Sequence, residues 1–445
     1  MRYIVRLLFY CFTMLFLNIA ALLYNIRINI FLKILIAVVL FGIYIIYNIK
    51  PRADKIQSKR LKIMIGGYEL ILTATFCLIS EILLYIYVLL IANTDINPLD
   101  VIINGVLSTI FTFIMLLNGF IRAFASSRQL KATFRIYIIL LWWVPVANVI
   151  LFYLLCVNIR SEYRFELNKN KRNEKRKYER VCQTKFPLLM VHGIFFRDWK
   201  HVNYWGRIPN ELIENGATIY YGNQQSSSPV EQSAAQLKQR IMEIINETGC
   251  GKVNIIAHSK GGLDSRYAIS CLGLDQYVAS LTTINTPHFG CAFAGKLIEK
   301  TPDKITSFIG KQYEAIFSKL GDDEPDFFGG VSELTVEKCA ELNRIMIDRE
   351  GVLYQSLGSK MYSHSSAMFP LNIGYRMIEP LEGENDGLVA TKSMVWGDLI
   401  GIVTPPNKLG ISHGDMVDLT RKNIYGFDVC ENYVELVKSL KDKGL

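Results

Sequence analysis

The sequence predicts two architectures in one chain: an all-α transmembrane domain over residues 1–159 and an α/β domain over 186–445, a mostly parallel sheet flanked by helices, with a basic linker at 160–185 between them. Three observations carry this. Long apolar runs crowd the first third of the 445 residues. Short apolar strands alternate with amphipathic helices from residue 186 onward. The net charge of +9 is divided, with 14 Lys/Arg against 5 Asp/Glu in 1–159, 10 against 4 in 160–185, and 25 against 31 in 186–445. The acidic sign of the last part argues against nucleic acid as a partner, and a basic flank beside apolar segments points to a membrane.

Four runs, near 7–24, 30–48, 70–92 and 101–121, match the roughly 20 apolar residues a spanning helix needs. The first is no simple cleavable signal, because a second run follows within six residues. A fifth run, 136–158, is interrupted by Pro145 and Asn148, so it either crosses or enters and returns. Six Lys/Arg between 49 and 68 and four between 122 and 135 mark cytoplasmic loops, whereas 93–100 carries Asp95 and Asp100 and no base. If the fifth run crosses, the basic stretch 160–185 lies on the wrong side. If it returns, every loop obeys the bias, with the α/β half in the cytoplasm of a bacterial cell. The second reading is the expected one. Glu81 falls mid-span; a carboxyl there is a candidate functional group, and the simpler reading is a protonated or paired residue inside a bundle.

In the α/β half, 187–191, 217–221, 253–257 and 278–284 read as buried strands, and 229–247 and 261–273 as helices. Nine cysteines, an odd number with no CxxC, indicate neither a disulfide framework nor a zinc site.

The chemistry concentrates in KVNIIAHSKGGLDSRYAIS, 252–270. A β-branched strand runs through Ala257-His258-Ser259-Lys260-Gly261-Gly262 directly into a helix, which is the setting of a nucleophilic serine on a tight strand-to-helix turn. Small residues at 257 and 261 suit the crowding there, with Ala257 where glycine is usual. Such a serine needs two backbone N–H groups for an oxyanion. Lys260 supplies one, and Ile194, after the strand that ends in His192-Gly193, supplies the other. Phe195, Phe196, Trp199, Tyr204 and Trp205 either wall an acyl pocket or are core aromatics. Among six histidines, His413 lies late in the chain on a loop before the last helix, where the order Ser…Asp…His puts the base. The acid between them is Asp386, followed by Gly387; Asp348, Asp322, Asp323 and Asp326 compete from helical or surface contexts. Asp264 and Arg266 read as a structural pair.

These residues resemble the bacterial true lipases (triacylglycerol lipases) of the α/β-hydrolase fold. The shared blocks, in order, are VHGIF, YWGRIP (204–209), AHSKGGLDSRY (257–267), INTPHFG (284–290), SELTVEKCAELN (332–343), ENDGLV (384–389) and SHGDMVD (412–418). They cover a little over half the chain. The resemblance implies Ser259, Asp386 and His413 as triad, with Ile194 and Lys260 at the oxyanion. It also implies a lid within 291–345, where one helical face of 305–321 carries Phe308 and Phe317; with Phe195 and Phe196 these are the candidate acyl-binding residues. Many such lipases hold a structural calcium through one Asp two residues after the catalytic His and another some twenty before the catalytic Asp. Asp415 matches the first, but no Asp lies between 349 and 385, so neither calcium nor another cofactor is expected.

The expected function is a membrane-anchored serine ester hydrolase, a lipase or esterase acting on acyl lipids or small esters. Two alternatives stand beside it: a lipid acyltransferase or inositol-deacylase-like enzyme using the same triad, and a membrane transporter or signalling module carrying an appended hydrolase. The sequence leaves oligomeric state open.

Overall fold

The structure, a computed structural model, describes residues 2–51, 58–90, 97–194, 203–292, 294–295 and 327–445. It divides into two compact units, 1–172 and 173–445.

The first unit is helical: α1 (Arg2–Leu17), α2 (Ile19–Asn25), α3 (Ile30–Ile49), α4 (Lys59–Leu90), α5 (Pro98–Ser126), α6 (Ala132–Leu141) and α7 (Pro145–Arg176). Among the described residues, four helices are long and apolar enough to cross a membrane: α3, α4, α5 and α7 from Val146. The run expected at 7–24 is two helices meeting at Asn18, whose amide Nδ2 donates to the Met14 carbonyl (3.1 Å) and to Glu81 Oε1 (2.6 Å). Arg6 holds Glu69 with two hydrogen bonds of 2.8 and 2.7 Å, so α1 and α4 run parallel with one sequence offset at both pairs. Glu81 is thus paired within the bundle. Asn18 Oδ1 in turn accepts from Asn104 Nδ2 (3.0 Å), which also donates to Tyr85 (2.8 Å). α4 and α5 pack backbone to backbone: a methyl group at Gly67 would lie 2.8 Å from the Gly119 carbonyl. Small residues permit that approach, which favours helix association in lipid.

The fifth apolar run is a helical hairpin. Glu162 of α7, buried, accepts from Ser127 Oγ (2.5 Å) and from the N–H groups of Arg128 (3.0 Å) and Gln129 (3.3 Å), and pairs with Arg60 (2.8 Å). The chain therefore returns, 35 residues on, to the level it left. α7 begins at Pro145, which explains the bend, since proline is tolerated at a helix start and not in a helix interior. At about 1.5 Å per residue, the ten-residue α6 reaches only half of a roughly 30 Å hydrocarbon core.

In the second unit the order is β1 (Leu188–Val191), α8 (Ile208–Glu214), β2 (Ile219–Tyr221), α9 (Val230–Thr248), β3 (Val253–His258), α10 (Lys260–Cys271), β4 (Val278–Ile284), α11 (Phe327–Ser332), α12 (Val336–Ile345), β5 (Leu353–Ser359), α13 (Leu371–Glu382), β6 (Asp398–Val403) and α14 (Val429–Asp442). The described strands form one six-stranded sheet in the order β2-β1-β3-β4-β5-β6, with every neighbour parallel. Val, Ile and Leu on both faces of β1, β3 and β4 make these strands wholly buried, as a sheet covered on both sides requires. One core cluster, with Trp205, Ile208 and Tyr433, packs α8 and α14 on one face; another, with Leu237, Ile241 and Ile269, packs α9 and α10 on the other. This is the α/β-hydrolase architecture. The loops at the carboxyl ends of β1, β3, β4 and β5 converge, and there the candidate residues lie.

Candidate active site

Ser259 stands between β3 and α10 with φ 55° and ψ −129°. That conformation is strained for a residue with a side chain, and hydrogen bonds on both sides hold it. Its N–H donates to the Ile284 carbonyl (2.9 Å), and its carbonyl accepts from Gly262 N–H (3.0 Å) and Thr286 Oγ1 (2.9 Å). The neighbouring glycines are steric necessities. A methyl at Gly261 would lie 2.9 Å from the Val191 carbonyl, and one at Gly193 would lie 2.8 Å from the Ser259 Cβ. The loop after β1 therefore presses on the serine, bringing Ile194 beside it on one side as Lys260 follows it on the other. The Ile194 side chain is buried in a cluster with Cys291, Val331, Ile378 and Ala390.

His192 is a loop fastener: its ring nitrogens meet the carbonyls of Gly193 (2.8 Å) and Gln224 (2.9 Å). His413, on the loop before α14, places Nδ1 2.6 Å from Asp386 Oδ2. A carboxylate oxygen accepts, so Nδ1 carries the proton and Nε2 is the basic nitrogen. Asp386 is held from four directions. Leu388 N–H (2.9 Å) and Val389 N–H (2.8 Å) donate to Oδ1, and Asn285 Nδ2 (2.6 Å) joins His413 at Oδ2. The His413 N–H also donates to the Asp386 carbonyl (2.9 Å).

His258 connects this pair to the serine turn. It immediately precedes Ser259, its ring centroid is 4.5 Å from that of His413, and Tyr204 Oη meets its Nδ1 at 2.7 Å. Complete burial, reinforced by the facing His413, pushes the His258 imidazole well below its ordinary range and keeps it neutral. His288 is buried likewise, with Nε2 3.0 Å from Thr283 Oγ1 and its pKa lowered by burial and then by Arg266. His364 lies in an exposed short turn, and His201 falls outside the described residues.

One expectation is corrected. Asp264 pairs with Lys260 (2.7 Å), not with Arg266, because residues two apart on a helix face away from each other while residues four apart align. Burial raises the Asp264 pKa against the pull of Lys260. Arg266 is buried elsewhere, its guanidinium 3.3 Å from the centre of the Trp396 ring and bonded to Asn343 (2.9 Å) and the Met346 carbonyl (3.1 Å). Of the two readings open for Tyr204 and Trp205, core aromatics is the one the burial supports. Asp348 sits at the surface, accepting from Trp396 Nε1 (3.0 Å). Phe195, Phe196, Trp199, Phe308, Phe317, Asp322, Asp323 and Asp326 lie outside the described residues, as does most of the expected lid.

Asp415 accepts from the N–H (3.0 Å) and Oγ (2.6 Å) of Ser412, closing its own loop. Among the described residues no three His, Cys, Asp or Glu are gathered to hold a metal. Asp418 is gripped by Arg207 through Nε (2.7 Å), Nη2 (2.8 Å) and the backbone N–H (2.8 Å). That pair ties YWGRIP to the loop carrying His413. Neither block reveals that bond by itself, and nothing in the polar-rich end of β4, VASLTTI, singles out Asn285, which follows it within INTPHFG.

A family model described as "Putative serine esterase (DUF676)" matches residues 188–313. A triacylglycerol lipase of Pseudarthrobacter phenanthrenivorans is 32% identical over 173 residues, 36% of this chain and 54% of that one, so this chain spans about half of that relative's length. The crystal structure of Staphylococcus hyicus lipase aligns over 59% of this chain and 97% of its own, at 18% identity and a TM-score of 0.46. A triacylglycerol lipase of Vibrio cholerae is 30% identical over 242 residues, 49% of this chain and 76% of that protein. With three quarters of that relative matched at such identity, the chain belongs to the triacylglycerol lipase family.

Proposed function

We propose that this chain is a membrane-anchored serine carboxylic ester hydrolase that acts on acyl lipids through Ser259, His413 and Asp386. The observation that carries the reading is the 2.6 Å His413–Asp386 pair beside a serine held at φ 55°. Ser259 Oγ attacks the ester carbonyl while its proton passes to His413 Nε2. The Ile194 and Lys260 N–H groups hold the resulting oxyanion. Collapse breaks the bond to the alcohol, which leaves with the proton from His413. Water then repeats the cycle on the acyl-serine, releasing the acid and restoring the enzyme. Asp386 fixes the imidazole tautomer and balances the imidazolium, and Asn285 fixes Asp386. No metal or other cofactor takes part in these steps.

The helical unit would hold this chemistry at a bilayer, as a multi-pass domain of a bacterial cell membrane, with the catalytic unit on the cytoplasmic side. Support comes from contacts that gather Arg6 with Glu69, Arg60 with Glu162, and Arg122 with the Asn48 and Ile49 carbonyls at one end of the helices. Both ends of the α6–α7 hairpin lie at that basic end, which the charge bias assigns to the cytoplasm. Ser259→Ala should abolish hydrolysis of p-nitrophenyl acyl esters, and retained turnover would sink the reading. An impermeant fluorophosphonate should label the protein only after cells are permeabilised; labelling of intact cells would reverse the orientation.

A further inference from the structure

Three segments of the catalytic unit meet beside His413 and leave apolar side chains in solvent. The first leads into α13 and exposes Met368 and Phe369 (67% and 77%) and then Ile373. The second exposes Leu409, and its backbone pairs with the strand end through Tyr362 N–H to Leu409 O (3.0 Å) and Ile411 N–H to Lys360 O (2.7 Å). The third exposes Leu419. They converge at the catalytic loops: a methyl on Gly414, next to His413, would lie 3.3 Å from Leu419 and 4.0 Å from Leu371, and one on Gly387, next to Asp386, would lie 2.9 Å from the Leu371 carbonyl. α13 is a wall of the site, since its inward Ile378 packs in the cluster that holds Ile194.

The charge beside this apolar surface is mostly basic, with Glu379 on α13 an exposed acid among it. Lys408, Arg421 and Lys422 are exposed between residues 404 and 427. Both acids of that stretch are engaged inward, Asp415 by Ser412 and Asp418 by Arg207. On the α13 side, Glu382 pairs with Lys392 (3.7 Å) and Glu384 with Lys360 (2.5 Å). The second unit as a whole is acidic, so a locally basic rim around large apolar side chains is a departure from its own composition. Apolar side chains framed by Lys and Arg are the pattern of a surface that settles into the headgroup region of an anionic bilayer.

We propose that Met368, Phe369, Ile373, Leu409 and Leu419 form a bilayer-docking surface of the catalytic unit, separate from the spanning helices, with Lys408 and Lys422 on anionic headgroups. An acyl chain leaving the bilayer would then enter beside His413 without crossing water. This rests on the ester hydrolase reading for its purpose, but the docking itself is measured independently.

The full chain is reconstituted in nanodiscs of phosphatidylglycerol and phosphatidylcholine, with the exposed Cys11 and Cys271 replaced by serine and an environment-sensitive nitrobenzoxadiazole dye placed on Phe369→Cys. The dye emission should shift to the blue and be quenched by lipids carrying a shallow nitroxide. In pure phosphatidylcholine, or with Lys408→Glu and Lys422→Glu, both effects should shrink at least twofold. In the unlabelled protein, Met368→Asp with Phe369→Asp should cut turnover of a bilayer-resident diacylglycerol ester at least tenfold and leave p-nitrophenyl butyrate turnover within twofold. A dye that stays in water, or a double aspartate variant that turns over the bilayer ester normally, overturns the proposal. If the variant loses both activities, the dye result alone decides. If the wild type turns over neither ester, the hydrolase reading fails while the dye still reports docking.

Discussion

Replacing Gly193 with alanine isolates the contact on which the proposed oxyanion geometry depends. The new methyl would lie 2.8 Å from the Ser259 Cβ, 2.9 Å from Tyr204 Oη and 3.2 Å from the His258 carbonyl. Ser259 cannot yield, because its backbone is bonded to Ile284, Gly262 and Thr286, so the loop carrying Ile194 must move. Overpacking of this kind costs about 1–3 kcal/mol of stability. Displacing one oxyanion donor costs about 3–4 kcal/mol in the barrier, or roughly 10²–10³ in kcat. The assay is steady-state hydrolysis of p-nitrophenyl butyrate by the full chain, with circular dichroism to confirm folding. Gly401→Ala is the control, because a methyl there meets nothing within 4 Å. If Gly193→Ala retained kcat within threefold of the wild type, the placement of the oxyanion donors would be refuted.

Further outcomes follow from the same geometry. Asn285→Gly tolerates the backbone φ of 48° while removing the amide from Asp386; kcat should fall about 100-fold with KM little changed, as expected when a catalytic group is misplaced, and an equal rise in KM would contradict a positioning role. Arg207→Met strands the buried Asp418 and should cost about 2–3 kcal/mol after allowance for the part-exposed guanidinium; adding Asp418→Asn should recover at least half in urea unfolding, and no recovery would refute the pairing. His258 and His288 should remain neutral at pH 5.5 in nitrogen-detected imidazole spectra, where an ordinary imidazole is about nine-tenths protonated. Their folded pKa values are depressed and the unfolded chain takes up the protons, so stability is lost as pH falls below about 6.5, by about 1 kcal/mol per histidine between pH 6.5 and 5.5. Titration of either ring near 6.5 would contradict their burial.

What was legible in the sequence was what periodicity and local crowding encode. β1, β3 and β4 read as apolar runs because burial on both faces tolerates little else, and Ser259 stood out because only small residues fit around it. β5 and β6 were not read. Their sequences LYQSLGS and DLIGIV mix polar and small residues, and Gln355 is satisfied across the sheet by Thr282 (2.7 Å), a partner 73 positions away. The same distance in sequence hid Arg207–Asp418 and Asn285–Asp386, which only the fold brings together. Glu81 was visible as a mid-span carboxyl, but Asn18 was hidden as its partner by its place in another apolar run. The break at Pro145 was readable from the residue itself, whereas the return of the hairpin depends on Glu162 reaching back to Ser127.

The most direct test is to react the purified full chain with a fluorophosphonate and locate the adduct by mass spectrometry. One adduct per chain is expected, on Ser259 Oγ, formed at least 100-fold more slowly in His413→Ala and absent from Ser259→Ala. An adduct on another serine, or undiminished labelling of Ser259→Ala, would contradict the assignment of Ser259 as nucleophile.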